Sequence, residues 1–140
     1  MLNFLKKKAK VHNNDKIILV CGLLVHAAKM DENYSEKEKK IILQALKEIY
    51  KKKDDELKLI LLEAEKKENE SNQILEFTKE IKNYDKNFRL KIIKILWHII
   101  YSDGVSDIYE SNLMRRLGAL LYITDKENGN IKLEMAKNFK

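Results

Sequence analysis

The stretch Leu96-Trp97-His98-Ile99-Ile100-Tyr101-Ser102-Asp103-Gly104, running on through Asp107 to Glu110, reads as an apolar helix, an abrupt stop and the opening of another helix. Upstream, from Asp85, apolar residues occupy most faces of the helix, which predicts a position at the centre of the fold. Gly104 can take the left-handed conformation that closes a helix. Asp107 can then cap the next one, with Glu110 at capping-box spacing.

The same grammar occurs earlier in the chain. Asp31 lies 72 residues before Asp103, and that single offset sets His26 over His98, Ser35 over Asp107 and Glu38 over Glu110. Ile41 and Ile42 fall over Leu113 and Met114 at the same offset. Helix, loop length, cap, carboxylate and apolar pair agreeing at one offset argue for a duplicated helix-loop-helix unit. Two such units are expected to pack their central helices face to face about a pseudo-twofold axis, bringing the two acidic loops to comparable positions.

Working outward, residues 1–14 read as a short basic amphipathic lead, with Leu2, Phe4 and Leu5 ahead of Lys6, Lys7, Lys8 and Lys10. Residues 15–140 read as one helical domain. Its first helix is predicted over Asp15 to Met30, and its second runs from the Ser35/Glu38 capping box to about Lys51. Shorter helices are expected over Glu56 to Lys67 and Ser71 to Asn83, and a last one from Thr124, whose partner Glu127 repeats the capping spacing.

Composition narrows the class. A chain of 140 residues suits one domain with one core, and 44% hydrophobic with 36% charged residues, no proline and four glycines favours long helices over strands and turns. The apolar runs Ile17 to Ala28 and Ile92 to Tyr101 fall short of the roughly 20 residues of a membrane span. MLNFLKKKAK lacks the apolar run and cleavage site of a secretory signal, which predicts a cytoplasmic protein. The net charge of +6 is mostly lysine spread along helices, with three arginines, and this argues against nucleic acid as a partner. The single cysteine, Cys21, sits in an apolar run and reads as a small core residue.

The stretch Leu96 to Glu110, followed by Leu113-Met114-Arg115-Arg116-Leu117 and the aliphatic Leu120-Leu121-Tyr122-Ile123, resembles the TerB (tellurite-resistance) family. Leu75-Glu76-Phe77-Thr78, ahead of Arg89 and the Leu96-Trp97 helix, is similar to a TerB-like subgroup of bacterial proteins. The first unit departs from the pattern, with Glu32 where the second has Gly104. The resemblance covers about residues 15–137 and implies an all-α bundle of seven or eight helices, bacterial and intracellular, with acidic residues proposed to hold a divalent cation. Some family members stand beside resistance functions or a chaperone J-domain, and no enzymatic activity comes with the family.

Asp31, Glu38, Asp103 and Glu110 are the candidate site. Carboxylate oxygens suit hard cations such as Ca²⁺ or Mg²⁺, and two Asp/Glu pairs meeting at a twofold could supply a shell completed by water. The same four residues also have a purely structural explanation, as helix caps and terminators. His26 and His98 precede their aspartates by one and a half turns, face elsewhere, and read as core histidines. No nucleophile elbow or glycine-rich phosphate loop is present.

With the resemblance, these residues imply a TerB-like intracellular helical module, associated with stress or tellurite resistance, that interacts with a protein partner and binds a divalent cation through the duplicated acidic loops. Two alternatives stand beside it. One is a metal-dependent hydrolase using the same carboxylates; the other is an adaptor at the inner membrane face, contacting the lipid surface through residues 1–12.

Overall fold

Seven α-helices and two 3₁₀ turns build the described part of the chain in a computed structural model. It describes residues 2–31, 34–71, 74–103 and 108–137, with side chains except those of 2–13, 31, 103 and 108–110. The helices are α1 (Leu2–Ala28), α2 (Glu36–Tyr50), α3 (Asp54–Glu70), α4 (Leu75–Ile81), α5 (Lys86–Ile100), α6 (Ile108–Leu120) and α7 (Asp125–Lys137). No strand occurs among the described residues, and none of their helices is long and apolar enough to cross a membrane.

Local chemistry accounts for the starts. Ser35 and Glu38 close a full capping box at α2, Asp85 accepts from the Phe88 N–H at 2.8 Å to open α5, and Thr124 and Glu127 close a second box at α7. Helix α3 begins two residues before the expected Glu56, because Asp54, Asp55 and Glu56 form an acidic first turn that suits the positive end of the helix dipole. It also runs through the polar Lys67 to Glu70 segment to a cap at Ser71. The lead and the first central helix are one continuous helix of 27 residues. No proline intervenes, and Asn13-Asn14 does not break it.

The duplication extends further than the sequence reading. Helix α1 ends at Ala28, a 3₁₀ turn covers Lys29–Asp31 and α2 begins at Glu36; 72 residues on, α5 ends at Ile100, a 3₁₀ turn covers Tyr101–Asp103 and α6 begins at Ile108. A third helix follows in each unit, α3 from Asp54 and α7 from Asp125, at an offset of 71. The connections before them contain the two non-glycine residues with left-handed backbone among the described residues, Lys51 (φ 53°) and Tyr122 (φ 58°), also 71 apart. One residue has therefore been lost between α6 and α7. Each unit packs its three helices mutually, and the two units join where α1 meets α5 and α2 meets α5.

Between the units, α4 lies against α1 and α6. Its Phe77 ring sits over Gly22, where a Cβ would run into the ring, so the glycine sets the approach of α4 to α1. Val20, Leu23, Leu24, Ile92, Ile93 and Leu96 are completely buried, which makes α1 and α5 the spine of one core. Arg89 ties the start of α5 to the end of α6, its Nε donating to the Tyr84 carbonyl at 2.9 Å and its Nη1 to the Leu121 carbonyl at 2.8 Å.

Candidate functional site

The first acidic loop is the better described of the two. After the turn at Lys29–Asp31, Ser35 stops the chain in extended backbone and α2 begins. The Ser35 N–H donates to Glu38 Oε1 at 3.1 Å and its hydroxyl to the same oxygen at 3.2 Å, while the Glu38 N–H donates back to the Ser35 hydroxyl at 3.3 Å. Glu38 is only 4% exposed. Of the four carboxylates singled out in the sequence, this one serves the helix cap. The side chains of Asp31, Asp103 and Glu110 lie outside the described residues.

A direct link joins the two units. Lys37, in the first turn of α2, reaches across to donate from Nζ to the Ser102 carbonyl at 2.5 Å. That carbonyl belongs to the 3₁₀ turn ending at Asp103, at the negative end of α5, where an ammonium group is favoured. Tyr109, whose side chain lies outside the described residues, occupies the position equivalent to Lys37 in the second unit.

Around the first loop stands a charged network that the sequence reading did not contain. Glu68, from α3, accepts from Lys29 Nζ at 2.6 Å and pairs with His26 Nδ1 at 3.3 Å. Lys29 also donates to Asn69 Oδ1 at 2.6 Å. Glu65, one turn earlier, lies 3.6 Å from Lys39. Tyr34 fills the space between, with Lys39 and Lys29 ammonium groups 5.0 and 5.9 Å from its ring centre. Burial, and then the neighbouring Glu65 carboxylate, hold the Tyr34 hydroxyl firmly in its neutral form.

The histidines differ from expectation. His26 is half-buried and engages Glu68, and His98 lies on the exposed face of α5, so neither is a core residue. Both sit on helix positions flanked by buried residues, and one step of 100° carries each to the rim. Cys21 is a buried apolar residue as read from the sequence, and burial pushes its thiol far above the usual range.

In the second unit, Trp97 and Asn128 stand where the first has the buried Val25 and Leu57. Trp97 Nε1 donates to Asn128 Oδ1 at 2.8 Å, and Asn128 Nδ2 donates to the Met114 carbonyl at 2.8 Å. Lys132 lies over the Trp97 ring at 5.4 Å, and Tyr101 stacks on it with centroids 5.7 Å apart. Asn128 and Lys132 are further residues that the sequence reading missed. An asparagine at an inward position of an amphipathic helix is the signal that could have revealed the first.

Among the described residues, no group of three or more His, Cys, Asp or Glu side chains is arranged to hold a metal ion. What the arrangement does supply is two 3₁₀ turns in register 72 residues apart, the first beside a buried helix cap and an ion-pair network, and the second held to α2 by Lys37. The family model described as Tellurite resistance protein TerB matches residues 18–133, from within α1 to within α7. No curated protein and no solved structure matches the chain.

Proposed function

This chain belongs to the TerB family, and from that premise we propose that it is a non-catalytic helical interaction module, associated with tellurite or other stress resistance, whose duplicated loops take a divalent cation. The observation that supports this reading is the exact register of the two units. Helix end, 3₁₀ turn and next helix start all recur at 72 residues, so Asp31 and Glu38 hold positions equivalent to Asp103 and Glu110. Duplication that keeps two acidic loops in register is what a shared cation site would require.

The donor chemistry fits a hard cation. Asp31, Asp103 and Glu110, with Glu38, would offer carboxylate oxygens of the kind that Ca²⁺ and Mg²⁺ prefer. Glu38 already closes the cap of α2, so uptake of a cation by this carboxylate is coupled to the first turn of that helix. Lys37 extends that coupling to the end of α5. A cation arriving at the loops would thereby stiffen the contact between units, which is how such a module could present a different face to a protein partner.

Calorimetric titration with Ca²⁺ and Mg²⁺, paired with thermal melts, tests the reading. Binding heat and a raised melting temperature are expected for the wild type, both lost in Asp103→Asn and in Glu110→Gln. No heat and no thermal shift with either ion overturns the cation reading. Turnover of phosphate-ester or ester substrates that disappears in the same variants would overturn the non-catalytic assignment.

A further inference from the structure

Between α6 and α7, with Trp97 of α5 in its lining, lies a pocket of about 210 Å³. Its residues stand where the first unit has the groove between α2 and α3: Arg115 for Leu43, Asp125 for Asp54, Asn128 for Leu57 and Gly129 for Lys58. Duplication therefore supplied one groove twice, and the two copies have diverged in chemistry. In the first, the Lys47 ammonium lies 3.0 Å from the Asp54 carboxylate and neutralises it. In the second, Ala119 takes the place of Lys47, so Asp125 keeps its charge without that counterion.

Among the described residues, three charged side chains border this pocket: Arg115, Asp125 and Lys132. Arg115 and Asp125 are exposed, and neither has an ion-pair or hydrogen-bond partner among the described residues. Lys132 is held in place, its ammonium group 5.4 Å from the Trp97 ring centre and donating to the Ser111 hydroxyl at 3.4 Å. An ammonium group has three protons, so donors remain for a ligand. Gly129 lies one turn after Asp125 and one turn before Lys132 on the same face of α7, and a Cβ added there would meet nothing within 4 Å. The space over it is open, about 6 Å along the helix axis from Asp125 and about 4.5 Å from Lys132. Two cations and one carboxylate thus surround a gap that a side chain fills in the first unit.

We propose that this pocket binds a phosphate group that carries a proton, as the free ion or as the head of a phosphomonoester. The Arg115 guanidinium offers a planar fork that matches two oxygens of an oxyanion, and Lys132 supplies a second positive charge. These two alone would admit any oxyanion. Asp125 narrows the choice, because a carboxylate repels an anion unless the anion brings a hydroxyl that donates to it. Hydrogen phosphate has that hydroxyl and sulfate does not. Asn128 forms the floor and takes no part in the selection, since Trp97 and the Met114 carbonyl already occupy its amide. This inference does not depend on the cation reading.

Trp97 is the only tryptophan of the chain, so its fluorescence reports on the pocket directly. The test is a titration of the full chain with inorganic phosphate, glycerol phosphate and sulfate, followed by that fluorescence and by calorimetry. It is run at fixed ionic strength, with a chelator present to remove divalent cations, and at about pH 6, where a phosphomonoester still holds a proton. Half-saturation by phosphate at or below about 1 mM is expected, with sulfate at least about tenfold weaker. Asp125→Asn should erase that preference by admitting sulfate. Arg115→Gln and Gly129→Leu should each remove phosphate binding while the thermal midpoint holds or rises, since the first position is exposed and the second gains helix propensity. Glycerol phosphate binding as tightly as phosphate assigns the group to a phosphorylated molecule, and binding of phosphate alone assigns the free ion. No saturable response to either compound up to about 10 mM overturns the proposal. So does a wild type that takes sulfate as readily as phosphate, or phosphate binding that survives both Arg115→Gln and Gly129→Leu.

Discussion

Trp97 and Asn128, 31 residues apart on α5 and α7, meet in the buried core through a 2.8 Å hydrogen bond from the indole N–H to the side-chain carbonyl. Three positions of the duplicated unit change together around that bond. The first unit has Val25, Leu46 and Leu57, all buried; at the matching places the second has Trp97, Gly118 and Asn128. Gly118 makes room for the Asn128 amide, since a Cβ there would stand 2.6 Å from Asn128 Nδ2. Asn128 is held on both sides, by Trp97 and by the Met114 carbonyl, so it cannot swing away.

Replacing Asn128 by Leu strands the buried indole N–H without an acceptor, which costs about 2–3 kcal/mol. Gly118→Ala alone is expected to cost about 1–3 kcal/mol by crowding the amide. The triple change Trp97→Val, Gly118→Leu, Asn128→Leu reproduces the first unit's composition. Urea denaturation should find it less destabilised than the sum of the three single changes. Strict additivity would show that the three positions do not act as one set.

Gly22→Ala should destabilise the fold by about 1–3 kcal/mol, because the added methyl meets the Phe77 ring and α4 must move off α1. Phe77→Leu in the same background should recover part of the loss. An unchanged thermal midpoint for Gly22→Ala would contradict this packing.

The Cys21 thiol should resist alkylation. It is fully buried, burial and then the Glu65 carboxylate disfavour the thiolate, and the thiolate is the reactive form. Iodoacetamide labelling followed by mass spectrometry should be negligible in the native protein and complete in denaturant. Rapid native labelling would mean that the α1 core opens.

Acid should loosen α7 before the rest. The Lys86 ammonium at 2.9 Å, then the Thr124 backbone and hydroxyl, hold the Glu127 carboxyl down to about 2 from 4.5. Because its folded value is depressed, the stabilisation is fully present above about 4.5 and disappears as pH falls towards 2. Amide exchange in α7 should rise over that window. Glu127→Gln should show faster exchange at neutral pH and a flatter acid profile; an identical profile would discount the cap.

The sequence by itself determined the helical class, the starts of α2, α5 and α7, and the existence of a repeat. Those features depend on residues within a turn or two of one another: apolar spacing, and a capping side chain three positions from its partner. Ser35 with Glu38 and Thr124 with Glu127 are legible for that reason. The site was legible only as four spaced carboxylates, and whether Glu38 caps or coordinates could not be read from spacing that serves both.

Tertiary structure decided the rest. Glu65 and Glu68 look like solvated charges until α3 packs against α1 and sets them beside Lys39, Lys29 and His26. Lys37 finds Ser102 across 65 positions of chain, and Trp97 finds Asn128 only after α7 folds back. That α3 and α7 belong to the repeat stayed hidden because a one-residue loss before α7 breaks the register that marks the first two helices of each unit. Pairings between distant positions are set by how whole helices pack, and no local pattern in the chain encodes that packing.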